Sequence, residues 1–146
     1  YTAGYRSKKI QDILSEIAYL RDKYGATHFH FTDESYPPAL FRKLARGLVE
    51  SNMGIFWTTH MRFEKSLLED QVWQDAKESG CKYLHFGYES GNERVLKLMD
   101  KATTTAIMTE HLKRTAEAGG REMLLVAAQE EIVRPSRVFP AEPVNG

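Results

Sequence analysis

An α/β fold of repeated strand–helix units around a parallel sheet is what the chain predicts, on three observations. Candidate strands begin near positions 27, 55 and 82, a step of about 27 residues. Each follows an amphipathic segment that stops at a glycine. Each alternates apolar with polar residues, so its two faces can be told apart. Right-handed crossovers between such units make the sheet parallel, with helices on its outer face. A complete eight-fold barrel needs ~250 residues, so 146 residues supply part of a TIM-like barrel or a small open sheet. Residues 1–128 are the folded unit in this reading. Residues 129–146, with Pro135, Pro140, Pro143 and no helical or strand period, are an irregular tail.

Taken in order, Ser7 can cap a helix in which Ile10, Ile13, Leu14, Ile17 and Leu20 recur at helical steps, with Gly25 as its left-handed stop. The strand from Thr27 to Thr32 alternates aromatics and leads to Asp33 and Glu34 before Pro37-Pro38. A helix runs from about Pro38 through Leu40, Leu44, Leu48 and Val49, closed by Gly54. Ile55 to Thr59 is the next strand, continuing into His60-Met61-Arg62. Ser66 with Glu69 reads as a capping box for a helix ending at Gly80, and Lys82 to Gly87 is the third strand. Ser90 with Glu93 is a second capping box, which leaves free amide N–H groups pointing back toward Glu89. A helix through Ile107, Met108, Leu112 and Ala116 ends at Gly119-Gly120, and residues 121–128 offer a fourth strand.

Composition narrows the function. Twenty basic and twenty acidic side chains cancel, so no net field recruits nucleic acid or an anionic membrane, and nucleic-acid binding is unsupported. No apolar run approaches the ~20 residues a bilayer needs, nor do the first residues resemble a signal peptide, so a cytoplasmic protein is expected. Cys81 is the sole cysteine, which excludes an internal disulfide or a cysteine-only cluster held by this chain alone. Opening on Tyr1 rather than Met suggests an excised or truncated piece.

The strand period assigns Phe29, Phe31, Trp57, Met61, Leu84, Phe86 and Tyr88 to the helices. The opposite face receives His28, His30, Thr32 and Glu34; Thr58, His60 and Arg62; and Tyr83, His85, Gly87 and Glu89. Glu34, Arg62 and Glu89 then stand at carboxyl ends, where sites form in α/β folds. Each has an ordinary alternative. Strand histidines are more often hydrogen-bonded core residues than ligands, Arg62 can pair with Glu34 or Glu89 at the rim, Gly87 can serve close packing, and Ser90 and Glu93 can serve only the helix. Glu89 has the weakest such explanation, because an inward carboxylate needs a partner.

The run from Phe86 to Leu96, followed by Met99-Asp100-Lys101, resembles the fourth-strand signature of radical S-adenosylmethionine enzymes, closest to the branch that often carries a cobalamin-binding domain or acts as methylthiotransferases. Arg6-Ser7, Tyr24-Gly25, Phe29 to Glu34 and Arg62 agree in order, so the likeness covers roughly residues 6 to 119. The resemblance implies a partial (β/α)6 barrel that binds S-adenosylmethionine for radical generation by a [4Fe-4S] cluster. It places Glu89 and Ser90, beside Gly87, near the ribose or methionine end of the cofactor. It places Asp33 or Glu34 at the methionine amino group and Arg62 in the same pocket, an apt use of charge-assisted hydrogen bonds. The family's three cluster cysteines would precede Tyr1. The cluster ligands and the flanking barrel segments are thus expected outside this chain, and the isolated chain is expected to be inactive in radical chemistry.

Two other readings remain. His28-x-His30 is the pair that opens metal-dependent amidohydrolase barrels, with His60 and His85 as further ligands. Alternatively the chain is a non-catalytic half-barrel remnant that binds a partner through bare sheet edges.

Overall fold

The computed structural model describes residues 8–33, 36–119 and 124–128. Ser7, Glu34 and the tail from 129 lie outside them. The order is α1 (Ile10–Tyr24), β1 (His28–Phe31), α2 (Pro38–Ser51), β2 (Phe56–Met61), α3 (Asp70–Glu78), β3 (Cys81–Tyr88), α4 (Glu93–Leu98), α5 (Thr105–Gly119) and β4 (Leu124–Ala128). All strand pairs are parallel, and spatial order equals chain order, β1-β2-β3-β4. The α/β class and the parallel sheet stand as expected. Of the two forms expected, part of a TIM-like barrel or a small open sheet, the described residues form an open sheet with β1 and β4 at its edges and no barrel closure.

The alternation read from the sequence decides what the sheet buries. Trp57, Thr59, Met61, Leu84 and Phe86 are buried, while Phe29, Phe31 and Tyr88 pack on the same core. Helix residues meet them: Ile13 and Ile17 from α1, Phe41, Leu44 and Leu48 from α2, Val72 and Trp73 from α3, Met108 and Leu112 from α5. Trp57 is fully buried, and its indole N–H donates to the Ser79 carbonyl at 3.2 Å, which keeps a large aromatic from leaving a donor unsatisfied. Phe63, just past β2, stacks on Phe86 with ring centroids 4.6 Å apart. The segment after β1 folds back over β2, where the Tyr36 amide donates to the His60 carbonyl at 3.0 Å. The other sheet face carries no such layer among the described residues: His28, His30, Phe56 and Tyr83 are exposed, and Thr58, His60 and His85 half-buried.

Helix ends follow the sequence in part. Gly25 takes the left-handed conformation and its N–H bonds the Arg21 carbonyl. Asn52, not Gly54, is the left-handed cap of α2. The Ser66–Glu69 capping box does not form: Ser66 lies in a single 3-10 turn (Lys65–Leu67), and Glu69 precedes α3 with no side-chain cap bond.

Candidate functional site

Parallel strands bring their carboxyl ends to one edge, so Asp33 after β1, Arg62 after β2 and Glu89 after β3 share a rim. His60 pairs with His85 in the ladder; continuing that register sets Arg62 level with Gly87. The Glu89 carboxylate leans back over the strand, its Oε1 3.7 Å from where a Cβ on Gly87 would sit, an ordinary van der Waals separation. Lys101 Nζ donates to Glu89 Oε1 at 2.9 Å, yet the Glu89 side chain remains 25% exposed. Arg62, for which pairing with Glu34 or Glu89 was the alternative to ligand contact, is exposed, with no hydrogen bond or ion pair from its side chain among the described residues. Lys101 takes that place because the loop between α4 and α5 returns to the end of β3.

The ring of free helix amides expected beside Glu89 is corrected too. Asn92, not Ser90, caps α4, its Oδ1 accepting from the Arg94 and Val95 amides at 2.9 and 3.4 Å. Ser90 Oγ accepts from the Asn92 amide at 3.1 Å. Glu93 does not reach back; it accepts from the Thr105 amide and hydroxyl, tying α4 to the start of α5. These bonds hold the Glu93 carboxyl below the usual carboxylate range. The Arg94 and Val95 amides are therefore occupied by the chain itself, and the Ser90 hydroxyl keeps its hydrogen and one lone pair for a ligand.

The strand histidines divide. His30, His60 and His85 converge on the open face from three adjacent strands, with ring centroids 5.5 Å (His30 to His60), 5.9 Å (His30 to His85) and 4.7 Å (His60 to His85, stacked). His30 Nδ1 shares a 2.6 Å hydrogen bond with Thr58 Oγ1. Burial, then the neighbouring His60 and His30, lowers the pKa of His85. His28 stands apart, near Phe56 at the start of β1. The amidohydrolase reading needs these rings to converge as ligands, and no group of three His, Cys, Asp or Glu among the described residues is arranged to hold a metal.

A cleft of about 450 Å³ on this face is lined by His28, His30, Phe56, Thr58, Lys82 and Tyr83 with the backbone between them. A larger one, about 620 Å³, adjoins it at the amino end of the strands, around Met53, Gly54, Gly80 and Lys82, and shares Phe56 and Lys82 with it. Neither is lined by Asp33, Arg62 or Glu89. Two residues, one at the rim and one in the helix layer behind the sheet, escaped the sequence reading. Lys101 closes on Glu89 across twelve positions, and only its basic charge after an acidic strand end hinted at it. His111, on α5, is fully buried in the helix layer and donates through Nε2 to the Glu64 carbonyl at 2.7 Å; its place on the apolar stripe of Met108 and Leu112 was the available sign.

No family profile matches the chain. It is 31% identical over 117 residues to the cytidylyl-2-hydroxyethylphosphonate methyltransferase of Streptomyces wedmorensis, covering 79% of this chain and 22% of that protein. It is 24% identical over 117 residues to an uncharacterised methyltransferase of Pyrococcus horikoshii (79% and 25%). It is 28% identical over 107 residues to the bacteriochlorophyllide d C-12(1)-methyltransferase of Chlorobaculum tepidum (70% and 23%). The chain thus spans about a quarter or less of each relative. All three are named for methyl transfer, and none for a radical reaction, an iron–sulfur cluster or cobalamin. The radical-enzyme assignment, with its [4Fe-4S] cluster and cobalamin association, is corrected on that finding to methyltransferase similarity. The relatives favour neither the hydrolase nor the remnant reading. No helix among the described residues is long and apolar enough to cross a membrane.

Proposed function

We propose that the chain is part of a methyltransferase and that its carboxyl rim contributes to binding S-adenosylmethionine, a small-molecule cofactor. The observation that carries this reading is the Glu89 carboxylate, laid over bare Gly87 at the end of β3 and still reachable beside Lys101. The residues fit the group by charge. Its sulfonium and ammonium are cationic, and Glu89 and Asp33 offer carboxylates on one edge. Ser90 has a hydroxyl hydrogen for a ribose oxygen, and Arg62, unpaired among the described residues, suits the methionine carboxylate. Glu34 joins this set on sequence alone. When bound, the cofactor supplies an activated methyl group, and the part assigned to these side chains is to hold and orient it.

We further propose that the open sheet is a sector of a larger barrel. Two features support it. The strand order runs 1-2-3-4 with no reversal, whereas a doubly wound sheet reverses at a switch point. Only one sheet face carries a helix layer among the described residues.

Isothermal titration with S-adenosylmethionine tests the cofactor reading. Loss of a charged hydrogen-bond partner is worth roughly 1.5–3 kcal/mol, so Glu89→Ala should weaken binding about ten- to a hundred-fold. Absence of heat with the parent chain, or equal affinity in a folded Glu89→Ala variant, overturns it.

A further inference from the structure

We propose that the histidine face of the sheet binds a tetrahedral oxyanion, the head of a phosphate-type ester, at the His30–His60–His85 cluster, with the organic part directed to the neighbouring cleft that Lys82 lines. This site is separate from the rim and does not depend on the methyl-donor reading.

The chain as a whole balances its acids and bases, yet this face does not. Its described positions are His28 and His30 from β1, Phe56, Thr58 and His60 from β2, and Lys82, Tyr83, His85 and Gly87 from β3. None is acidic. The charged groups bordering it are Arg62, Asp33 and Glu89 at the carboxyl rim, the last tied to Lys101, and Glu78 where α3 ends before β3. Three imidazoles within 6 Å of one another, centroid to centroid, repel each other's protons, and His85 already shows the effect. A dianion placed among them would relieve that repulsion and accept several N–H bonds at once. A monodentate or cationic ligand would do neither.

Geometry adds an opening and a wall. His30 belongs both to the cluster and to the cleft of about 450 Å³, so its imidazole is reached from solvent, while His60 and His85 beside it are half-buried. Lys82 Nζ stands 4.4 Å over the Phe56 ring, on the same cleft. Phe56 and Tyr83 are exposed aromatics there, at 38% and 49%. They suit the organic part of an ester better than a bare ion. Thr58 fixes the His30 ring through its hydrogen bond, so one of the donors is held in place before anything binds.

The test is imidazole NMR of the 146-residue chain, with sulfate as the first probe because it stays dianionic between about pH 5 and 8, where histidine titrates. Expected are saturable shifts of the His30, His60 and His85 resonances and a rise in the His85 titration midpoint, with His111, buried on the other side of the sheet, unmoved as an internal control. His60→Gln should weaken the response at least about ten-fold, the loss of one charge-assisted bond, and Glu89→Gln should leave it unchanged even if it abolishes methyl-donor binding. Phenyl phosphate binding more tightly than sulfate supports an ester as ligand; equal affinity means a free oxyanion, which overturns the ester assignment. Shifts reproduced by chloride at equal ionic strength, shifts shared by His111, or none at all overturn the site altogether, and the parent chain alone decides between these outcomes even if a variant fails to fold.

Discussion

At Gly80 the backbone runs at φ +86°, and a Cβ there would collide with the Ile55 carbonyl oxygen. Gly25 has a similar positive φ, +65°, but open space around it. The two glycines separate a conformational cost from a packing cost. An L-residue in the left-handed region costs about 1–2 kcal/mol, and forcing atoms into filled space about 1–3 more. Gly25→Ala should therefore lose about 1–2 kcal/mol of unfolding free energy and Gly80→Ala about 2–5, read as shifts in urea midpoint at constant slope. Equal losses would mean that the contact with Ile55 yields without cost. Both glycines were legible as helix stops, since the left-handed requirement is local. The caps were less so. Ser90 and Asn92 both qualify chemically, and Asn92 wins because residues 89–91 are needed to turn the chain out of a strand that runs to Tyr88.

Among elements, the alternation of β1 to β3 was readable because, among the described residues, one face is covered by helices and the other is not, so Trp57, Leu84 and Phe86 sort cleanly from Thr58, Tyr83 and His85. What could not be read was register. Only the observed pairing of His60 with His85 turns separate strand histidines into a cluster. The joint between α4 and α5 was equally hidden, because Glu93 looked like the partner of its own helix start and instead accepts two bonds from Thr105. That joint carries a pH signature. The Glu93 pKa is lowered in the fold, first by the Thr105 hydroxyl and then by its amide, so its contribution is full above the unfolded value of about 4.3 and is lost as pH falls through the folded one. Thr105 amide exchange, corrected for intrinsic rate, should accelerate in Glu93→Ala at neutral pH and in the parent chain only under acid. Equal protection in parent and variant would show that packing of α5 holds the joint unaided.

For the molecule as a whole, sequence period was enough to predict an α/β parallel sheet, while closure depends on what meets β1 and β4, and neither edge is specified by residues within the units described. Stability against pH does follow from within. His85 and His111 have folded pKa values below the ordinary histidine value of about 6.5. For His111 the chief cause is burial, with the Glu64 carbonyl opposing and Arg114 adding to the depression. As pH falls through about 6.5 the unfolded chain takes up protons that the folded chain refuses, so unfolding free energy must fall with it, by at most about 1.4 kcal/mol per pH unit for each proton of difference. Urea melts between about pH 7.5 and 5.5 should therefore show stability full at the upper end and declining toward the lower. His111→Gln removes a titrating group and should flatten the decline, leaving the part owed to His85. A curve that is level over this window, or that rises toward acid, would mean that both imidazoles find compensation in the fold, and the unpartnered Nδ1 of His111 would then have to accept its proton without loss.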